Sequence, residues 1–499
     1  MFKMEEKDQE SLVKYILAKL SETPLLAKSN TQANGIPLRH RRTYIRIKKH
    51  VDDFIMGEKL GNIENRLIIL PGLRGVGKTT ILFQIYEHIR NVKNVSQDRV
   101  LYFSTDELKA YLGKSILDVI NVYIQNVHRT SLAALDKEIF ILIDESHFDH
   151  EWSQTAKIIF DQSKKVFLIF TGSSALNLEL SVDTARRTKK ETVFPLNFSE
   201  YLTLKYDLFP SKGMAQNVRE LIFKGDDESV ESASANENIL MRKTLSLNKR
   251  MDMIWEDFLC YGGFPFGLNM SQIEVHQRIF SMVDRVIEKD VFALQSFNTD
   301  TRSDITRILT FLALQTPGGT SDAKLAERLK ISPALVRTIL DILEKTHLIF
   351  SIKPYGGAGK VIRKPWKYYF LSPSINAAIR FKLGVYDIRN REMLGVLAEN
   401  LVASYLFRMM ETVNMPTGIF YDSEEGGADF LIHNVKNSII PIEVSIGDKN
   451  QEQVKAAIKR YGSDYGIIIS NTEKIRKDGN IIYLPLTTFS FGWGYFPYR

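Results

Sequence analysis

Short apolar runs alternate with amphipathic stretches over residues 67–205 of the chain. Each run is bounded by polar residues, and the amphipathic stretches have the apolar spacing of helices. This alternation predicts an α/β fold with a parallel sheet that is buried on both faces. In such a sheet ligands bind at the carboxyl ends of the strands. The predicted strands are Leu67–Leu70, Val100–Phe103, Ile139–Asp144, Val166–Thr171 and Thr192–Phe194.

The first of these runs leads into a glycine-rich turn with the spacing Gly72-x4-Gly77-Lys78-Thr79. This is the phosphate-binding loop pattern, in which curled backbone points several N–H groups at one anion and the following helix adds its positive dipole end. An ordinary glycine turn before a helix is the alternative. The apolar strand before the loop and the amphipathic helix after it favour the phosphate loop. The expected binding residues are Gly72, Leu73, Arg74, Gly75, Val76, Gly77, Lys78, Thr79 and Thr80.

The third predicted strand closes on two carboxylates, Asp144 and Glu145. An apolar strand that ends in Asp-Glu is a weak signal alone, but it gains weight downstream of a phosphate loop by about two strand–helix units. We expect Asp144 and the Thr79 hydroxyl to hold Mg²⁺, and Lys78 to reach the β- and γ-phosphates of a nucleotide. Glu145 is the candidate that orients or activates the attacking water.

Two further positions are candidates for contact with the γ-phosphate. The fourth predicted strand ends at Thr171-Gly-Ser173-Ser174, where a hydroxyl can sense the phosphate or can instead cap the next helix. Arg187, or Arg186 beside it, is a candidate for stabilising transition-state charge in its own or a neighbouring subunit. A surface arginine held in a salt bridge is the alternative for Arg187.

The remainder of the chain divides by composition and periodicity. Residues 1–66 are predicted to be helical and carry a basic run over 39–49, which is either a solvated helix face or a face that contacts nucleic acid. Residues 67–205 are the expected nucleotide domain. Residues 206–250 are acidic and small without periodicity, so we expect a mobile polar insertion there. Residues 251–315 are predicted to be helical. Residues 316–390 have a winged-helix pattern with basic residues near a glycine-rich tip, among them Arg337, Lys360 and Arg363.

The ordered motifs resemble a family of archaeal and bacterial AAA-type ATPases that end in a restriction-endonuclease-like domain. The resemblance rests on the loop Gly72–Thr79, on Ile143-Asp144-Glu145, on Thr171–Ser174 and on Pro195–Glu200, and it extends to Tyr261–Pro265 and to Gly395-x3-Glu399-Asn400. It implies ATP as the nucleotide, a lid role for residues 251–315 and a connector role for the winged-helix part. It also implies an α/β endonuclease-like domain over residues 391–499.

Such an endonuclease-like domain uses carboxylates to hold Mg²⁺ beside the scissile phosphate and a lysine to activate water. Asp429 and Glu443 match the carboxylates of the family pattern, and Glu399 matches its helix-borne acid. Ser445 stands where the lysine belongs and cannot supply a cation, although Lys449 follows in the next turn. The sequence therefore leaves open whether this domain cuts, or binds nucleic acid, or is structural.

Composition indicates the cell compartment but does not show whether the protein binds DNA. The single cysteine, Cys260, excludes a disulfide within the chain, which fits a reducing cytosol, so we expect a cytoplasmic protein. We expect no membrane segment, because no apolar run approaches the roughly 18 residues that span a bilayer. The net charge of +7 permits contact with DNA without requiring it. We expect an Mg²⁺-dependent ATPase whose nucleotide state repositions the C-terminal domains, with homo-oligomerisation left open. The alternatives are an ATP-gated DNA nuclease and a non-catalytic, ATP-liganded DNA-binding regulator or scaffold.

Overall fold

The computed structural model describes residues 6–60, 65–173, 182–292, 299–315, 319–412, 417–434, 438–447 and 451–494. The chain forms two compact units, Met1–Phe194 and Pro195–Arg499. Ser174, Lys449 and most of the predicted turn between Asn434 and Ser438 lie outside the described residues. Each unit is described below by itself.

The first unit contains a hairpin of β1 (Gln32–Ala33) and β2 (Ile36–Pro37) and a separate five-stranded sheet. The strands of that sheet are β3 (Leu67–Pro71), β4 (Val100–Ser104), β5 (Ile139–Asp144), β6 (Val166–Gly172) and β7 (Lys189–Lys190). They lie in the order β4-β5-β6-β3-β7, with every neighbouring pair parallel. Its helices are α1 (Glu6–Thr31), α2 (Arg42–Leu60), α3 (Lys78–Glu87), α4 (Thr105–Leu112), α5 (Ile116–Val122), α6 (Trp152–Gln162) and α7 (Val182–Ala185).

The strands β3, β5 and β6 are buried along their whole length, as expected of a parallel sheet covered on both faces. Apolar residues of α1, among them Leu12, Ile16 and Leu20, join the core on one face of this sheet. The helical prediction for residues 1–66 agrees with α1 and α2, although the hairpin of β1 and β2 lies between them, and α1 belongs to the core of the first unit.

The last predicted strand of this unit is displaced. We expected a strand over Thr192–Phe194, whereas the structure pairs Lys189 and Lys190 with β3. The backbone N–H of Val193 still donates to Pro71 O at 2.8 Å, so the predicted stretch follows the edge of the sheet without a strand's regular pairing.

The second unit contains an eight-stranded mixed sheet. Its strands are β8 (Ile349–Pro354), β9 (Lys367–Phe370), β10 (Gly418–Tyr421), β11 (Phe430–His433), β12 (Ile439–Ser445), β13 (Gly466–Ser470), β14 (Arg476–Asp478) and β15 (Ile481–Pro485). They lie in the order β14-β15-β13-β12-β11-β10-β8-β9. Its helices are α8 (Phe198–Tyr206), α9 (Met214–Lys224), α10 (Asp227–Thr244), α11 (Met251–Tyr261), α12 (Gln272–Arg285), α13 (Thr299–Leu314), α14 (Asp322–Leu329), α15 (Pro333–Lys345), α16 (Ala358–Arg363), α17 (Pro373–Lys382), α18 (Arg391–Thr412), α19 (Glu452–Tyr461) and α20 (Leu486–Trp493).

The two predicted C-terminal domains share this one sheet. The hairpin of β8 and β9 follows the helices α14 and α15, as a winged-helix pattern requires, but β8 also pairs in parallel with β10. Sheet hydrogen bonds thus continue across the expected boundary between residues 390 and 391. The helix α8 also lies in the second unit, so the predicted nucleotide domain, 67–205, extends past the end of the first unit at Phe194.

The prediction of a structureless polar insertion over residues 206–250 is wrong, because α9 and α10 occupy most of it. Asp226 caps α10 by accepting a hydrogen bond from Ser229 N. Glu237 is buried on the inner face of α10, where it accepts hydrogen bonds from Ile475 N at 2.8 Å and from the Thr488 hydroxyl at 2.5 Å. These long-range bonds have no signature in local periodicity, and so the sequence did not show them.

One helix of the described residues, α18, has the length and hydropathy to cross a membrane. Its most apolar window is 72% buried inside the protein, as is usual for a core helix.

We expect Glu237→Ala to lower the stability of the second unit by about 2 kcal/mol, because it leaves a buried backbone N–H and a buried hydroxyl without their acceptor. Urea unfolding followed by tryptophan fluorescence measures the shift in midpoint. The control is Glu231→Ala, an exposed glutamate on the same helix. Equal midpoints for the two variants would contradict the docking described for α10.

Candidate nucleotide site and C-terminal acid cluster

The glycine-rich turn between β3 and α3 has the backbone that its pattern predicts. Gly75 and Gly77 adopt positive φ angles of 80° and 92°, which side chains with a Cβ rarely tolerate. A Cβ on Gly72 would lie 2.4 Å from Val193 O, so this position also requires glycine. The first turn of α3 has no side-chain cap, so its N–H groups remain available to a ligand.

Lys78 lies across this loop and is buried. Its ammonium donates to Gly72 O at 2.8 Å and to Leu73 O at 3.2 Å. The cation is therefore held at the centre of the curled backbone, beside the N–H groups at the start of α3.

Asp144, at the end of β5, connects the loop to the middle strand of the sheet. One of its carboxylate oxygens accepts a hydrogen bond from the Thr79 hydroxyl at 2.7 Å. The other accepts a short hydrogen bond from the hydroxyl of Thr171 on β6. Because β6 lies between β3 and β5, its carboxyl end brings Thr171 between the loop and the acid.

Glu145 follows in a left-handed backbone conformation, with φ 51°. Such a conformation costs a non-glycine residue about 1 kcal/mol, and strain of this kind clusters at functional sites. Its carboxylate lies 3.5 Å from Arg74 of the loop and 3.4 Å from Nδ1 of His147. Burial raises the pKa of Glu145 above its ordinary value, and the cation of Lys78 opposes that rise. A carboxylate with a raised pKa is a stronger base toward water.

Ser173 is almost fully buried, and its hydroxyl has no hydrogen-bond partner among the described residues. Its backbone N–H donates to His147 Nδ1 at 3.4 Å, so the end of β6 and the glutamate share a neighbour. Its position two residues beyond Thr171 is the one that the sequence assigned to a phosphate sensor.

Arg187 is not brought to the phosphate loop of its own chain. Its guanidinium donates to both carboxylate oxygens of Asp161, at 2.8 and 3.2 Å. Asp161 lies in the last turn of α6, just before β6 begins, and so belongs to the opposite edge of the sheet from the loop. The structure therefore agrees with the salt-bridge alternative for Arg187.

Three cations of the basic run over residues 39–49 form ion pairs or hydrogen bonds within the first unit. Arg46 pairs with Glu191 at 2.7 Å and Lys48 with Asp52 at 3.1 Å. Arg41 is buried and donates to two backbone carbonyls, one of them in the phosphate loop. Sequence reasoning placed these cations on a surface and missed both Arg41 and His147, because neither residue belongs to a spacing pattern.

In the second unit the three predicted acids lie near one another but do not form a metal cluster. Glu443 Oε2 accepts from Asp429 N at 3.2 Å, and Asp429 Oδ2 accepts from Val444 N at 2.9 Å. Within the described part of the chain, no group of three or more His, Cys, Asp or Glu side chains is placed to hold a metal ion. The predicted metal role of Glu399, Asp429 and Glu443 is therefore not supported.

A cation already lies in this C-terminal acid cluster of Glu399, Asp429 and Glu443. Lys367 of β9 is 3.4 Å from Glu399 Oε1, and the Tyr369 hydroxyl donates to the same oxygen at 2.7 Å. Burial raises the pKa of Glu399 to about 7, with repulsion from Asp429 as the second cause. Ser445, where a lysine was expected, donates instead to Gly447 O at 3.2 Å.

Comparison with known proteins supports the first unit's assignment. A family model described as an AAA domain matches residues 64–202. The uncharacterized protein MJ1637 of Methanocaldococcus jannaschii is 33% identical over 480 residues, which cover 95% of this chain and 93% of that protein. The chain belongs to the same family as MJ1637. A second protein of that archaeon, MJ1544, is 22% identical over 79% of this chain and 78% of its own length.

The comparisons give less information about the chain beyond the AAA match. Residues 253–385 match a domain of unknown function, DUF8612. Among solved structures, the Aeropyrum pernix ORC1 protein in complex with DNA is 12% identical, covers 71% of this chain and 96% of its own, and has a TM-score of 0.31. A likeness at that score says nothing about function. The match over residues 64–202 supports an AAA-type ATPase domain in that part of the chain, and the endonuclease-like resemblance remains an expectation.

The raised pKa of Glu399 predicts a pH dependence of stability. Since the folded pKa lies above the unfolded value, the protonated acid favours the folded state, and stability falls as pH rises from about 5 to about 7. We expect Glu399→Gln to remove much of this fall. Urea unfolding at pH 5, 6, 7 and 8 measures it.

The control for this experiment is Glu392→Gln, an exposed glutamate near the start of the same helix. Its pH profile should follow that of the unmodified protein. A Glu399→Gln profile as steep as that of the unmodified protein would show that the buried carboxyl does not titrate in this range.

Proposed function

We propose that the first unit binds ATP with Mg²⁺ and hydrolyses it. The observation that carries this proposal is the pair of hydrogen bonds that Asp144 accepts from Thr79 and Thr171, directly beside the glycine loop and the ammonium of Lys78. Hydroxyl and carboxylate oxygens are the ligands that Mg²⁺ prefers, so Thr79 and Asp144 fit the ion. When bound there, the ion would neutralise charge on the β- and γ-phosphates.

The side chains around these two residues divide the remaining work. Lys78 moves from the loop carbonyls to the phosphate oxygens and balances their charge. Glu145, with its raised pKa, orients the attacking water and accepts its proton. Ser173 contributes a buried hydroxyl that is free to donate to a γ-phosphate oxygen. The Thr171 hydroxyl holds the Asp144 carboxylate in place both before and after ATP binds.

We expect hydrolysis to change the second unit through the chain that joins them, since Pro195 follows directly on Phe194 at the end of the first unit. Support comes from His147, which accepts a hydrogen bond from Ser173 N and lies 3.4 Å from the Glu145 carboxylate, so that it links the proposed phosphate sensor to the proposed base. Phosphodiester cleavage is not part of this proposal, because backbone amides, Tyr369 and Lys367 already occupy the acids of the C-terminal cluster.

Nucleic acid is the second candidate partner, and one surface of the second unit favours it. The short helix α16 at the tip of the β8–β9 hairpin exposes Arg363 and is followed by exposed Lys364, while Lys353 is exposed on β8. Arg337 on α15 is 76% exposed beside Asp322. Cations grouped on a hairpin can contact phosphates of a duplex without reading its bases.

Replacement of Lys78 by alanine should weaken ATP binding by about 10- to 100-fold, because a hydrogen bond to a charged group contributes about 1.5–3 kcal/mol. Replacement of Glu145 by glutamine should leave binding nearly unchanged and lower kcat by about 100-fold. Titration with a fluorescent ATP analogue and a phosphate-release assay measure the two effects. Unchanged turnover in both variants would refute the assignment of the site.

For the nucleic-acid candidate, we expect the triple change of Arg337, Arg363 and Lys364 to alanine to weaken binding to duplex DNA and to reduce its salt dependence. A gel shift at several salt concentrations measures both quantities. The triple change of Lys7, Lys14 and Lys28 to alanine, which removes equal charge from exposed positions of the first unit, is the control. Equal losses in the two triple variants would reject the hairpin as the DNA-binding surface.

A further inference from the structure

Arg41 occupies an unusual place for a residue of a basic run. It directly precedes α2, the residue is only 6% exposed, and its guanidinium donates to two backbone carbonyls. One arm donates to Val76 O at 2.6 Å and the other to Phe194 O at 3.0 Å. A planar guanidinium can bridge two separated acceptors in this way, whereas the ammonium of a lysine is a single point.

The first of these acceptors lies inside the phosphate loop. Val76 stands between Gly75 and Gly77, both of which have positive φ angles. These two conformations turn the neighbouring peptides so that N–H groups face the anion. A charged hydrogen bond on the carbonyl of Val76 fixes the orientation of the Val76–Gly77 peptide, and so holds the Gly77 N–H in place before a ligand arrives.

The second acceptor lies at the end of the first unit. Phe194 is the last residue of the first unit. The residues that precede it, 191–193, run alongside β3, the strand that leads into the phosphate loop. Glu191 N donates to Ile69 O at 2.9 Å and Val193 N to Pro71 O at 2.8 Å. Val193 also fits closely against Gly72, where no Cβ could be accommodated.

We propose that Arg41 is a positioning residue that preorganises the phosphate loop and couples it to the exit segment, residues 191–194. When phosphate binds, the loop peptides tighten around it, and the guanidinium transmits that change to Phe194. This inference rests on the proposed nucleotide site and adds the route by which occupancy of that site is felt where the chain leaves the unit.

A matched control is available in the same unit. Arg66 is also buried, at 4% exposure, and also donates to backbone carbonyls, those of Phe160 at 2.6 Å and Ser163 at 2.7 Å. These acceptors lie before β6, at the opposite edge of the sheet from the loop. Loss of Arg66 removes an equivalent buried guanidinium without touching the loop or the exit segment.

The test compares Arg41→Ala, Arg41→Lys and Arg66→Lys with the unmodified full-length chain. Affinity for a slowly hydrolysed ATP analogue is measured by titration. Hydrogen exchange of peptides covering residues 191–200 is measured with and without saturating analogue. We expect Arg41→Ala to weaken binding by about tenfold or more, and to abolish the analogue-dependent change in exchange even at saturation.

Arg41→Lys should recover part of the affinity and little of the exchange response, because its ammonium reaches only one of the two carbonyls. Arg66→Lys should retain both within about twofold, since it acts at the far edge of the sheet. If Arg41→Ala fails to fold, Arg41→Lys carries the test. Retention of both the affinity and the exchange response in the Arg41 variants would overturn the inference.

The proposed function itself fails on a different observation. If the unmodified chain and its Lys78→Ala variant bind the analogue equally, the nucleotide site is wrong. If Lys78→Ala loses binding while Arg41→Lys behaves like the unmodified chain, only the role of Arg41 is rejected.

Discussion

The two hydroxyl hydrogen bonds on Asp144 are the interaction on which the first unit's chemistry depends. They join the start of α3, the end of β5 and the end of β6, three stretches that are far apart in the chain. Each stretch carries one part of the candidate site, namely the loop with Lys78, the acidic pair, and the hydroxyls of Thr171 and Ser173. Since the strands are fully buried, their ends cannot shift independently, and the site is held by the core of the sheet.

The second unit follows a different logic. Its eight-stranded sheet joins the hairpin of β8 and β9 to the strands that follow residue 417, so the exposed cations of the hairpin and the buried acid cluster belong to one hydrogen-bonded sheet. In that cluster Lys367 stands beside Glu399, although it comes from the hairpin and not from the position of Ser445. The cluster is therefore a site of internal charge compensation.

The sequence predicted the geometry of the glycine loop and of the acidic pair because the signals for both are local, and their nucleotide role stays a proposal. A loop that needs positive φ angles requires glycine, and a strand that ends in acids shows this in consecutive residues, so Gly75, Gly77, Asp144 and Glu145 were all readable. The sequence failed where partners are remote. Glu237 bonds to residues more than two hundred positions away, Arg187 bonds to Asp161, and Arg41 reaches the loop from outside any motif. From composition we expected Glu237 to lie in a mobile loop and Arg41 to lie on the surface.

The glycine loop, Lys78 and Asp144 together form the proposed site for a magnesium-bound triphosphate. Calorimetric titration of the full-length chain with a slowly hydrolysed ATP analogue, with Mg²⁺ and then with chelator, tests it most directly. We expect binding at one site per chain that weakens strongly when Mg²⁺ is removed. No binding, or binding of equal affinity in chelator, would contradict it.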